Sequence, residues 1–295
     1  MPKNNLLSKY IKPLLPRPSS LHRSGKLEDK IRCILFDIYG TLFVSGSGDI
    51  GIAKRESYTS EKLESLLNTF GIQQTPPKIL NRFFATIDTT HQTLKEKRVD
   101  FPEVEIDRVW MRVLEIYDLD MVRAFAMEFE LIVNPVYPMP NLEKTLSTCK
   151  DLNVLMGIIS NAQFYTPYLF KWFLDSSLED CGFHPELIFF SYKFGYAKPS
   201  FFMFNVAAEQ LEKMGISAHS VLYVGNDMLN DIYPAKKAGF KTALFAGDAR
   251  SLRLRENDPR CKDLSADVVI TDLIQILDHI QSVSLDKTSR YSTTL

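Results

Sequence analysis

Four cysteines in 295 residues, Cys33, Cys149, Cys181 and Cys261, lie far apart without any C-x-x-C pair. That scarcity excludes a disulfide framework and a structural zinc site, and points to reduced thiols in an intracellular, cytoplasmic protein. Long apolar runs are also missing: none approaches the roughly 18–20 residues that span a bilayer. Charge of one sign is missing too, with 35 Lys plus Arg against 36 Asp plus Glu and a net charge of -1. There is no global field to draw in nucleic acid or an anionic membrane, so neither is expected as a partner. The leader, residues 1–27, lacks the apolar core and small-residue cleavage site of a secretory signal. It carries Lys3, Lys9, Lys12, Arg17, Arg23 and Lys26 between Pro2, Pro13, Pro16 and Pro18. It reads as a basic, poorly ordered arm, with a docking arm or an organelle-targeting leader as alternatives.

What the chain does contain is 45% hydrophobic residues, enough for one large core and a smaller second one. Its organising stretch is C-I-L-F-D-I-Y-G-T-L-F, Cys33 to Phe43. Ile31, Cys33, Ile34, Leu35 and Phe36 form a short apolar run with no helical spacing that stops at Asp37, which describes a buried strand tipped by a carboxylate. In an open α/β sheet ligands sit beyond the carboxyl ends of the strands, so Asp37 stands at the reactive rim; a turn-capping Asp before Gly40 is the plainer alternative. Gly46, Gly48 and Gly51 in the segment Val44 to Ile52 allow a hinged flap beside that tip.

From about Tyr58 to Val133 apolar residues recur at spacings of three and four (Leu63, Leu66, Leu67, Phe70; Leu80, Phe83, Phe84, Ile87), which predicts an inserted helical unit. His91, Lys95, Lys97, Arg98 and Trp110 belong to it and either face the site from above or, the plainer reading, form a solvated face and a packed core residue. An α/β rhythm then begins. A helix capped by Asn141 precedes strand Val154–Ile159, which ends in Ser160-Asn161. A helix over Phe164–Leu174, a short strand Leu187–Ser191 and a helix Ser200–Met214 capped by Ser200 follow. Strand Val221–Gly225 ends in Asn226-Asp227, helix Leu229–Ala238 stops at Gly239, and Lys241–Phe245 is a last strong strand. Val268–Ile270 adds an edge before a helix Asp272–Ile280, and the tail from Ser282 is polar.

The fold class expected is α/β, a doubly wound, Rossmann-like core with a mostly parallel sheet plus an inserted helical cap. The domains expected are the arm 1–27, a core of 28–50 and 135–283, a cap of 51–134 and a flexible tail 284–295. Asp37, Ser160-Asn161, Lys198, Asn226-Asp227 and Asp231 all fall at strand ends or in adjoining loops. A carboxylate nucleophile, a hydroxyl and an amide for the transferred group, a lysine to offset charge and further acids for a cation together describe covalent aspartyl catalysis.

On these residues the chain resembles the haloacid dehalogenase superfamily of hydrolases. The motifs are D-x-x-G-T-L at Asp37–Leu42, Ile158 to Asn161, Lys198-Pro199, and G-N-D-x-x-N-D at Gly225–Asp231, in the family's order over about Lys30 to Ile280. The resemblance implies that Asp37 is the nucleophile, with Tyr39, Ser160, Asn161, Lys198 and Asp231 in the catalytic set and Thr41, Ser160, Asn161 and Lys198 against the substrate. It further implies Mg²⁺ as cofactor, held by Asp37, the Tyr39 main-chain carbonyl and Asp227, with Asn226 and Asp231 assisting.

Two departures stand out. The family's phosphatases carry a second Asp where this chain has Tyr39, and a phenol of ordinary pKa near 10 is a poor acid–base group at neutrality. Asn226 stands where metal-dependent relatives place their ligand Asp. The expected function is Mg²⁺-dependent hydrolysis of a small phosphorylated metabolite through a covalent aspartyl intermediate. The alternatives are metal-independent cleavage of a carbon–halogen bond in a 2-haloacid, since a departing halide needs no proton, and a catalytically weak binding or regulatory protein. The sequence sets no oligomeric state.

Overall fold

The computed structural model describes residues 9–46 and 61–280. The flap glycines Gly48 and Gly51, the start of the inserted unit and the tail from Ser282 lie outside the described residues. The strands among them are β1 (Cys33–Phe36), β2 (Phe43–Ser45), β3 (Val136–Pro138), β4 (Leu155–Ser160), β5 (Phe183–Phe190), β6 (Val221–Gly225), β7 (Lys241–Phe245) and β8 (Val268–Ile270). Six of them form one sheet in the order β5-β4-β1-β6-β7-β8, every neighbouring pair parallel.

The continuous apolar run of β1 follows from burial on both faces. Ile34 and Phe36 enter one core with Ile158, Phe183, Leu222 and Val224, while Cys33 and Leu35 enter the opposite one with Phe189, Phe204 and Tyr223. Helices α5 (Leu142–Asp151), α6 (Pro167–Phe173), α7 (Ser191–Phe194), α8 (Phe202–Lys213) and α9 (Tyr233–Lys237) belong to this α/β layer structure. Because the chain runs from β1 to β4 and β5 on one side, then crosses to β6 on the other, β1 lies at the point where strand order reverses. A crevice opens there at the strands' carboxyl ends.

Between β2 and β3 the chain builds α1 (Glu61–Thr69), α2 (Pro76–Glu96), α3 (Ile106–Leu114) and α4 (Leu119–Val133). Their apolar faces meet around Trp110, fully buried, whose ring lies 4.3 Å from Phe83 and 4.8 Å from both Phe125 and Phe129. The chain segments entering and leaving this insertion pair antiparallel, Phe43 opposite Pro138 and Ser45 opposite Val136. Thus Val44 and Ser45, at the start of the expected flap, lie in a buried strand.

Several local expectations are corrected. Asn141 adopts a left-handed conformation and makes no cap; its amide donates instead to the Asp272 carboxylate at 2.8 and 3.0 Å. The helix expected from Ser200 starts at Phe202, and the Ser200 hydroxyl accepts only the Phe202 N–H at 3.3 Å. Leu229–Ala238 is a π-helical turn over Met228–Ile232 followed by α9, and Leu273–His279 is a 3₁₀ helix. The described part of the leader is laid against the body of the protein. Tyr10 donates to Glu128 of α4 at 2.7 Å, Ser19 to the Ala246 carbonyl at 2.7 Å, and Ser24 exchanges main-chain hydrogen bonds with Val269 of β8 at 2.9 and 3.1 Å.

Candidate active site

Each site side chain stands where its strand runs out. Asp37 follows β1, Ser160 ends β4, and Asn226 follows β6, so three neighbouring strands deliver a carboxylate, a hydroxyl and an amide to one crevice. Asp37 is buried, and its Oδ1 accepts from Ser160 Oγ at 2.9 Å and from Lys198 Nζ at 2.7 Å. Oδ2 has only the longer contact from Thr41 Oγ1 at 3.3 Å and is the less encumbered oxygen.

Lys198 is the hub. Its ammonium also meets Asp231 Oδ1 at 2.5 Å and Tyr223 Oη at 3.2 Å. Burial works to depress its pKa, but Asp231 and Asp37 on either side outweigh that and hold the proton on more firmly than in water. Asp231 is saturated: Oδ1 takes Lys198 and Tyr223, and Oδ2 accepts the main-chain N–H groups of Asn226 and Asp227 at 3.0 and 2.9 Å. Burial, with repulsion from Asp37 and Asp227, nevertheless pushes its pKa up to about 6. The amide of Asn161 fixes the other end of the lysine, its Oδ1 accepting the Lys198 N–H at 2.7 Å. Asn161 is thus a positioning residue here.

The carboxylate expected as the principal metal ligand is committed elsewhere. Asp227 accepts the N–H groups of Leu229 and Asn230 and is gripped by Arg255, with Nη2 to Oδ2 at 2.6 Å and Nε to both oxygens at 3.1 Å. Helix capping and this two-pronged ion pair use its lone pairs, and a cation there would face a guanidinium. Asp231 is likewise spent. The ligand roles expected of these two acids therefore do not fit this arrangement.

Oxygens that do fit a hard cation remain beside the nucleophile. The single proton of the Thr41 hydroxyl is shared between Asp37 Oδ2 and Asn226 Oδ1, at 3.3 and 3.1 Å, so it cannot satisfy both. One carboxylate oxygen and one amide oxygen, Asp37 Oδ2 and Asn226 Oδ1, thus lie around one hydroxyl, oxygen donors of the kind that suit Mg²⁺.

Tyr39 lines the same cavity, but its hydroxyl is tied to Thr166 Oγ1 at 3.0 Å. Burial, with the carboxylates of Glu130 and Asp37 nearby, drives the phenol pKa far above its usual value. It cannot be a base at neutrality. Tyr223, Arg255 and Ser251 were not foreseen. The one signal for Tyr223 was a hydroxyl inside the apolar strand V-L-Y-V; Ser251, whose carbonyl accepts from the Asn226 amide at 2.6 Å, comes from an irregular segment with no pattern.

The cavity above Asp37 has a volume of about 450 Å³ and is shared between the strand ends and the inserted helices. Among the described residues no helix is long and apolar enough to cross a membrane.

The family model described as haloacid dehalogenase-like hydrolase matches residues 31–239. A glyceraldehyde 3-phosphate phosphatase of Methanocaldococcus jannaschii is 26% identical over 259 residues, covering 87% of this chain and all (100%) of that protein. Among solved structures, a 2-haloacid dehalogenase from Pseudomonas syringae aligns with a TM-score of 0.52 at 18% identity, over 84% of this chain and 97% of the other. A HAD phosphatase from Thermococcus onnurineus aligns with a TM-score of 0.49 at 21% identity, over 85% and 99% of the two chains. A carboxylate held by lysine and serine at the switch point of a parallel sheet, and a family match spanning most of the chain, lead to one conclusion: this protein belongs to the haloacid dehalogenase-like hydrolases.

Proposed function

We propose that the protein is a phosphomonoester hydrolase that works through an aspartyl phosphate on Asp37. The observation that carries this reading is the Lys198 ammonium, in contact with both Asp37 and Asp231 at 2.7 and 2.5 Å. It offsets the charge that a phosphoryl group brings to the buried carboxylate. Asp37 attacks phosphorus, the bond to the leaving oxygen breaks, and water then opens the acyl phosphate to release orthophosphate. Ser160 orients the attacking carboxylate, and Asn161 holds the lysine. The likeness to a phosphatase along its whole length supports the same reading.

A Mg²⁺ ion would be held by Asp37, Asn226 Oδ1 and the Tyr39 carbonyl, and when bound would draw charge from the phosphoryl oxygens. With Tyr39 in place of a proton donor, the leaving group must depart with little assistance, which favours weakly basic leaving oxygens. The alternative that Tyr39 also favours is hydrolysis of a carbon–halogen bond, where no proton is needed.

Parallel assays separate the two. Phosphate release from an aryl phosphate with Mg²⁺, falling at least about 10³-fold in Asp37→Asn, supports the phosphatase. Halide release from a 2-haloacid without metal, and no phosphate release, overturns it.

A further inference from the structure

The cavity has two chemically different ends. On the core side lie Asp37, Lys198, Asn226, Arg253 and Arg255. On the side of the inserted helices the wall is Phe83, Phe84, Ile87, Trp110, Phe129 and Val133. Among the described lining residues this side contributes no lysine or arginine; its ionisable groups besides His91 are the carboxyls of Glu103 and Glu130.

The polar side chains in that wall are already committed to one another. Glu103 accepts from Ser191 at 2.7 Å, Glu130 from Asn134 and Tyr165 at 3.0 and 2.9 Å, and Gln163 is held by Val104 and Ile106 at 2.8 and 3.0 Å. A substrate rich in hydroxyls would have to break these pairings, and a second anionic group would face two carboxyls with no cation beside them among the described residues. Conversely, the indole N–H of the fully buried Trp110 and Nε2 of His91, both on residues lining the cavity, have no hydrogen-bond partner. A flat apolar body fits the wall.

From this we infer, resting on the phosphatase reading above, that the substrate is an aryl phosphate: a planar, otherwise uncharged aromatic body seated against Phe84, Ile87 and Val133, the half-buried part of that wall with Trp110 behind it, and with its phosphate as the sole anion. The cavity volume of about 450 Å³ suits an aromatic ring system plus phosphate. The chemistry agrees independently. When Asp37 attacks phosphorus, the electron pair of the breaking P–O bond goes to a phenolic oxygen, which departs as phenolate without the acid that Tyr39 fails to provide. Water attacks the aspartyl phosphate, the P–O bond to Asp37 breaks, and the proton given up by that water ends on the phenolate. The sum is aryl phosphate plus water to phenol plus orthophosphate.

The test uses the full chain with naphthyl phosphate, a triose phosphate and a phosphorylated hydroxy acid. We expect kcat/KM for naphthyl phosphate to exceed the other two by at least about tenfold. Phe84→Ala should lower that value about tenfold, chiefly by raising KM, and an unchanged value overturns the seat on this wall. Preference for the triose phosphate or the phosphorylated acid overturns the inference and leaves the phosphatase reading standing.

A binding measurement covers the case of no turnover. The chain has 2 tryptophans, so Trp172→Phe leaves Trp110 as the sole indole emitter. Saturable quenching of Trp110 by naphthyl phosphonate, and not by an alkyl phosphonate, supports the aromatic seat even if no phosphate ester is cleaved, in which case the phosphatase reading falls and takes the phosphate of the substrate with it. Failure of naphthyl phosphonate to quench overturns the inference.

Discussion

At the scale of single residues, the behaviour of the site is set by one ammonium shared between two carboxylates. Removing it in Lys198→Ala leaves Asp37 and Asp231 buried and facing one another, so stability should fall by about 3–5 kcal/mol in a denaturant titration, and turnover should vanish. Lys198→Arg should not restore activity, because a planar guanidinium cannot occupy the compact position between Asp37, Asp231 and Tyr223. The raised pKa of Asp231, about 6, has an activity consequence and a stability consequence of opposite sign. As pH falls through about 6, Asp231 takes a proton and lets go of Lys198, so kcat should drop on the acid side and the limb should flatten in Asp231→Asn. Because the folded state binds this proton more tightly than the unfolded chain, where the pKa is about 3.9, the group's contribution to stability declines as pH rises from about 4 to about 6. At position 226, replacing the amide with a carboxylate should tighten Mg²⁺ binding in Asn226→Asp by about tenfold or more, read by calorimetric titration of the free protein. If affinity is unchanged, the cation does not sit beside Asn226.

At the scale of elements, what was legible in the sequence followed from burial on two faces. The strands β1, β4, β6 and β7 announce themselves as apolar runs, and the polar residues that end them had to lie at the sheet's rim. The elements that were not legible depend on partners distant in the chain. Three residues are too few to display a period, so β2 is a strand only because β3 pairs with it. Arg255 reaches Asp227 from an irregular segment, and no local pattern could assign that pairing, although it decides which oxygens remain for a metal. The π-helical turn after β6 was read as ordinary helix because its spacing is apolar enough; the wider turn accompanies the inward placement of Asp231. Gly225 is the contact point of this arrangement, since a Cβ there would run into the Asp231 carboxyl. Gly225→Ala should therefore cut kcat strongly while far-UV circular dichroism remains native. In the helical insertion, Phe125→Ala removes one wall around Trp110 and should cost about 3–5 kcal/mol, read as a shift in denaturation midpoint.

At the scale of the whole molecule, the leader that composition suggested was loose joins the two layers of the protein. Tyr10 and Lys9 reach Glu128 on α4, whereas Ser19, Arg17 and Ser24 are fastened to the segments after β7 and within β8. Proline content and net basicity gave no hint of this, because every one of these bonds is made to a distant part of the chain. Deleting residues 1–27 should lower the melting temperature by roughly 4–8 °C, taking about 2 kcal/mol for the lost hydrogen bonds. A belt buckled to the helices at one end and to the sheet at the other would limit how far the jaws of the crevice could part. Unfastening at Glu128 and wide opening would then be a single event, so a protease that nicks the leader would report, cut by cut, how often the mouth gapes.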